Sequence, residues 1–215
     1  MVLRLHGMEE AGVRFPVGPL MNEFMIFAKP WWVNLLIAIP FAAYSLWRQN
    51  GLAISKRTLL FTAVFGIGFG FVEASAVIYL RAAVGLLPGY GGTLSEVAKF
   101  SSALYQQAQI LGELPRSLFV IEFLRETATM IMLLSITLLA VKSWRERGAV
   151  FLWTFAIWDL CYYIGLWSVV RWPSSLLTPD VLFLIPVPWF SQVWFPILIS
   201  ALTMVAVLLA RKTEI

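Results

Sequence analysis

Charge is scarce in this 215-residue chain: Asp, Glu, Lys and Arg together make up 13% of it, against 60% hydrophobic residues. Soluble domains carry about 25% charged and roughly 45–50% apolar residues, so a water-facing shell over a separate core is excluded. Cysteine is nearly absent as well. The lone Cys161 rules out an internal disulfide and a thiolate metal cluster, and it says little about redox compartment. The single histidine, His6, lies in the N-terminal tail, where solvation accounts for it. With no Cys–Cys or His-containing ligand spacing in the apolar runs, zinc, copper, haem and iron–sulfur sites are not expected. The net charge of +4 sits on residues flanking apolar runs, as membrane anchors do, which argues against a nucleic-acid partner.

What is present is a series of long apolar runs. A helix needs about 20 such residues to cross the hydrocarbon layer. Five stretches qualify, at about 31–47, 58–80, 117–141, 149–170 and 191–210. The expected architecture is therefore all-α: one polytopic membrane domain over 1–215, a bundle of five transmembrane helices whose partners include the membrane lipids. Pro40 predicts a kink in the first span. Residues 1–30 form an outer segment, and Arg4, Glu9, Glu10, Arg14, Glu23 and Lys29 interrupt the apolar core that a cleavable signal peptide would need.

Loop charges orient the bundle. Arg48, Lys56, Arg57, Lys142, Arg145, Arg147, Arg211 and Lys212 lie in alternate connections with only Glu146 and Glu214 beside them. The remaining connections balance seven cations with six acids. The expectation is a cell-membrane protein with its N-terminus outside and its C-terminus in the cytoplasm. Most tryptophans, among them Trp31, Trp32, Trp47, Trp144 and Trp172, fall near the span ends and read as interface anchors.

Two outer connections are too long for plain turns. In the first, "PGYGG" at 88–92 breaks the helix and Thr93 to Glu96 form a capping box. An amphipathic helix over about 94–111 follows, too polar to span because of Lys99, Gln106, Gln107 and Gln109. The second, "RWPSSLLTPDVLFLIPVPWFSQ", is rich in Leu, Phe and Trp yet carries four prolines in 22 residues. Apolar but unable to continue a helix, it reads as a hydrophobic lid or re-entrant segment over a cavity or beside an interface.

Ionisable groups within the spans are few and concentrated. Glu73 falls in the outer half of span two, Glu122, Arg125 and Glu126 in the outer half of span three, and Asp159 near the middle of span four. Tyr162 and Tyr163 follow Asp159 by one turn. Glu122, Glu126 and Thr129 share a helix face, and Arg125 is placed to reach Glu122 or a neighbouring helix. The inner half offers chiefly Thr62, Ser135, Thr137 and Thr154. Each charge at the bilayer centre costs on the order of 2.5–3.5 kcal/mol on the insertion scale, so four lone carboxylates would consume about 10 kcal/mol. Arg125 neutralises one of them, and Arg81, two turns outward from Glu73, is placed to reach a second. The other two imply protonation, a bound cation or water entering from outside, and thus an organised site.

The leading expectation is a pocket binding a lipophilic or amphiphilic small molecule, with acid–base chemistry on it. Glu122 and Asp159 are the acid/base candidates, Glu126 pairs with Arg125, Glu73 tunes the pair, and Tyr162 or Tyr163 orients the ligand. An all-oxygen set of Glu73, Glu122, Glu126 and Asp159 would also suit a hard divalent cation. The alternatives are an accessory role beside other membrane subunits and a cation or proton transporter; the apolar inner half weighs against transport. An ion-pair network that merely fixes helix packing is the plain alternative to all three. Gly66, Gly70 and Ala74 in "FGIGFGFVEA" form a small-residue stripe for close helix approach. "GIGFG" is no phosphate loop, because it lies mid-helix with no preceding strand.

Overall fold

A computed structural model describes residues 27–85, 116–185 and 187–212, with the side chains of 81–85 and 116 left out. The described chain is mostly helical. A 3-10 helix over Trp31–Ala38 continues into α1 (Ile39–Arg48), followed by α2 (Lys56–Gly85), α3 (Arg116–Ala140), α4 (Trp144–Val170) and α5 (Trp194–Ala210). Three of these, α2, α3 and α4, are long and apolar enough to cross a membrane, and α5 is a shorter apolar helix. Large apolar side chains such as Phe61, Val64, Ile67, Ile121, Leu124 and Leu139 face outward. An apolar surface of that extent marks contact with lipid or protein rather than water, which fits a membrane protein.

The first stretch changes pitch close to Pro40, where a kink is expected. Pro40 sits in the opening turn of α1, a position that proline favours. The change of pitch occurs just before it, from 3-10 to α. Asn34 fastens the start of this stretch, accepting from the Ala28 N–H and donating to the Ala28 and Trp31 carbonyls.

α4 is the hub. It packs against α2 along most of its length, against α5 and α3 as well, while α2 and α3 meet only narrowly. Small residues explain the closeness of α2 and α4. A Cβ on Gly70 would come within 2.6 Å of the Trp158 carbonyl oxygen, and one on Gly66 within 3.1 Å of the Thr154 carbonyl oxygen. Gly165 on α4 completes the seam opposite Ala74, where an added Cβ would meet the Ala74 Cβ at 2.9 Å. The expected small-residue stripe is therefore the α2–α4 contact.

The basic connections meet at one end of the bundle. Arg145 donates to the Trp47 and Leu46 carbonyls, capping α1 at 2.6 and 3.2 Å. Leu52 forms a parallel bridge with Arg211, and Gly51 turns with φ +64° against the Lys212 side chain. A core of Trp47, Leu52, Ile54, Ala149, Val150 and Val207 underlies this end. Trp47, expected as an interface anchor, belongs to that core. Trp172 is likewise fully buried, because Arg171 closes α4 in the left-handed region (φ 57°) and turns the chain back onto the helix. Trp31 and Trp144 are exposed, as anchors should be.

The proline-rich segment forms an antiparallel hairpin, β1 (Pro179–Val181) with β2 (Phe190–Gln192), in register Asp180 opposite Ser191. Lys29 pairs with Phe190 beside it, through reciprocal 2.8 Å backbone bonds. The "PGYGG" breaker, the capping box, the 94–111 helix, the N-terminal segment to residue 26 and His6 lie outside the described residues.

Candidate functional site

Helical spacing and the seam just described decide what α3 presents inward. Glu122, Glu126 and Thr129 are all buried on one face, with Arg125 half-buried beside them. Arg125 donates to Glu122 Oε2 from Nε at 3.0 Å and from Nη2 at 2.8 Å. Its third nitrogen, Nη1, forms an ion pair with Glu73 on α2. Thr129 one turn further donates to the other Glu73 oxygen at 3.1 Å. One guanidinium thus serves two buried carboxylates on two helices, and Glu73 spans α2 to α3 by both of its oxygens.

Glu126 does not take the place expected for it on Arg125. Both of its oxygens instead accept from the Leu184 backbone N–H, at 3.1 and 2.9 Å, in the turn between β1 and β2. The turn reaches this depth because its apolar side chains go with it. Phe183 stacks on Phe155 of α4 at 18° between ring planes, and it also touches Trp158 and Trp189. Phe155 is eleven residues into α4, about 16 Å along it. The tip of the segment therefore packs at mid-helix level of α4.

Asp159, one turn beyond Phe155, turns toward α5. Its Oδ2 accepts from Ser200 of α5 at 2.8 Å. The Tyr163 hydroxyl, one turn on, donates to Asp180 Oδ2 at 3.0 Å, and Asp180 Oδ1 accepts from the Val181 N–H at 2.9 Å. Asp180 is 1% exposed and within electrostatic range of Asp159. Tyr162, in edge contact with Tyr163 at 5.0 Å between centroids, lies within electrostatic range of Arg125. The expected single cluster is thus two clusters, joined by the tyrosine pair: Glu73, Glu122, Arg125 and Thr129 on the α2–α3 side, Asp159, Ser200, Tyr163 and Asp180 on the α5–hairpin side. Glu126 ties the hairpin to α3 between them. The Arg81 side chain lies outside the described residues.

Among the described residues no group of three or more His, Cys, Asp or Glu is placed to hold a metal ion. The carboxylates are each turned to a protein donor instead. The hydroxyls of the other half satisfy themselves on their own helices: Thr62 bonds the Thr58 carbonyl, Thr137 that of Leu133 and Thr154 that of Val150.

Three participants escape a reading by sequence. Asp180 looks like one more acid of an outer loop, Ser200 is a single hydroxyl in an apolar helix, and Leu184 contributes only its backbone. The isolated Asp in the apolar run from Leu176 to Val187 is the one signal that could have found the first. Comparison with known protein families, with curated proteins and with solved structures finds no match to this chain.

Proposed function

We propose that the protein is a five-span integral membrane protein that binds a lipophilic or amphiphilic ligand in its polar layer, with Asp159 as the acid/base group acting on it. Length supports five spans. Eight residues of 3-10 helix and ten of α-helix reach about 31 Å together, the thickness of the hydrocarbon core. The 17 residues of α5 reach about 25 Å, at the short end of what spans. Clustering of the basic connections at one end supports a cytoplasmic location for that end, and an outer location for the hairpin and the N-terminal segment.

The observation that carries the ligand reading is the contrast between the two acid/base candidates. Glu122 shares a guanidinium with Glu73 and is committed to an ion pair. Asp159, buried to 7% exposure, has only the neutral hydroxyl of Ser200 as its hydrogen-bond partner among the described residues, and faces a second buried carboxylate. Neighbouring buried carboxylates are the arrangement in which one is held neutral and the other ionised at one pH, which supplies a proton donor or acceptor. Tyr163, bonded to Asp180, fixes the second acid in place. Glu73, Glu122, Arg125 and Glu126 hold α2, α3 and the hairpin around this pair, and Tyr162 lies between the clusters.

The test is thermal stability of the purified protein in mild detergent against a panel of membrane lipids and isoprenoid alcohols. A ligand of this layer raises the Tm of the wild type and fails to raise that of Asp159→Asn. Equal responses in both proteins, or none in either, reject the reading.

A further inference from the structure

Two buried hydrogen-bond donors remain after the polar layer has been accounted for. The indole nitrogens of Trp158 and Trp189 are buried and have no acceptor among the described residues. They belong to one aromatic cluster: Trp158 packs on Phe155, Tyr162 and Phe183, and Trp189 on Phe183 and, edge-on at 5.2 Å, on Trp32. Phe183 touches both indole rings, so the two tryptophans border one shared side chain. Trp158 is 5% exposed and precedes Asp159 directly on α4.

Buried indole N–H groups ordinarily find a partner, and an unmet one calls for a specific explanation. Trp194 illustrates the ordinary case, donating to the Gln192 side chain at 2.8 Å. The surroundings of Trp158 and Trp189 define what their partner must be. It accepts and does not donate, since the unmet groups are donors. It is neutral, because Arg125, the cation of the polar layer, is already taken up by Glu73 and Glu122. It is flat and apolar, because the side chains packed about the two indoles are the aromatic rings of Phe155, Tyr162 and Phe183. We propose that this cluster, at the meeting of α4 and the hairpin, binds a neutral ring-bearing lipophile through its carbonyl oxygens, a ketone or quinone-type headgroup. The proposal rests on the ligand-binding reading above and names the ligand's chemical class.

The experiment uses the full chain in nanodiscs and two probes of matched shape, benzophenone and diphenylmethane, which differ in the carbonyl. Benzophenone binds saturably and more tightly than the hydrocarbon. Trp158→Phe or Trp189→Phe, whichever removes the indole N–H that the single carbonyl meets while keeping an aromatic ring, shrinks that difference about three- to tenfold, the worth of one neutral hydrogen bond. In the unmodified protein labelled with 15N-tryptophan, benzophenone moves the indole resonance of that same tryptophan, Trp158 or Trp189, and diphenylmethane does not. This measurement needs no variant to fold except for assignment. Equal affinity for the two probes, or a preference untouched by both substitutions with the two resonances unmoved, overturns the donor assignment and leaves the ligand-binding reading standing. Lack of saturable binding by either probe overturns the proposed class, while an Asp159-dependent rise in Tm with another lipid would still uphold the broader reading.

Discussion

The Leu184 N–H donates to both carboxylate oxygens of Glu126, 58 residues earlier in the chain, and the pair is buried. The backbone of Leu184, with Ile185 beside it, therefore connects the tip of the β1–β2 hairpin to the polar face of α3. Phe183 and Trp189 flank that amide and carry the aromatic contacts to α4, so loss of the acceptor should loosen the whole tip.

Glu126→Ala removes the acceptor and leaves a buried N–H unmet, at a cost of about 1–3 kcal/mol. Hydrogen–deuterium exchange at residues 182–185 should speed up by roughly ten- to a hundredfold, while exchange in the middle of α4 stays slow. Glu126→Gln keeps a carbonyl acceptor of nearly the same shape and should show a smaller rise. Unchanged exchange in Glu126→Ala would mean that the aromatic contacts alone hold the tip.

The membership of the polar layer was legible in sequence, while its pairing was not. Glu73, Glu122, Arg125, Glu126 and Asp159 stand out because charge inside an apolar run is costly, and helix periodicity puts the acids of α3 on one face. Which acid Arg125 takes depends on how α2 and α3 are rotated about their axes, and no local pattern encodes that rotation. The hairpin was invisible for a different reason: strands of three residues are too short to show an alternating period. Its prolines signalled only that a helix could not continue. Asp180 was hidden by context, since its burial follows from the hairpin folding back onto Tyr163. The glycine stripe was legible because its meaning is steric and local to one helix.

Gly68 and Gly70 allow a controlled test of that stripe. They lie two positions apart on α2, yet a Cβ on Gly68 meets nothing within 4 Å while one on Gly70 meets backbone of α4. Gly70→Ala should force the helices apart and lower stability by about 1–3 kcal/mol, the usual cost of overpacking. Gly68→Ala should be neutral or stabilising by up to about 1 kcal/mol through helix propensity alone. Thermal melts of the two variants in detergent make the comparison, and equal Tm changes would show that α2 and α4 are not in close contact at this point.

Arg125 is the counter-ion of two acids, so its removal is worse than removal of either acid. Arg125→Met leaves Glu73 and Glu122 buried without their cation and should cost about 3–5 kcal/mol. Adding Glu73→Gln and Glu122→Gln to that variant removes the uncompensated charge and should recover much of the loss, because Thr129 still has an amide to bond. Tm values for the single and triple variants decide it. A triple variant no more stable than Arg125→Met would show that the charges are not what the arginine offsets.

Orientation can be read from the two ends of the bundle separately. Cys161 is only partly buried, so Cys161→Ser supplies a background, into which Ser55→Cys and Ser174→Cys are introduced one at a time. Ser55 is exposed between α1 and α2, at the end where Leu52 meets Arg211. Ser174 is exposed just beyond α4, beside the hairpin. With the basic connections in the cytoplasm, a membrane-impermeant thiol reagent applied to intact cells labels position 174 and leaves 55 untouched until the membrane is opened. The reverse pattern would invert the protein and turn the polar layer toward the cytoplasm. Labelling of both positions from outside would place the two ends on one side, which neither orientation of a spanning α2 or α4 permits.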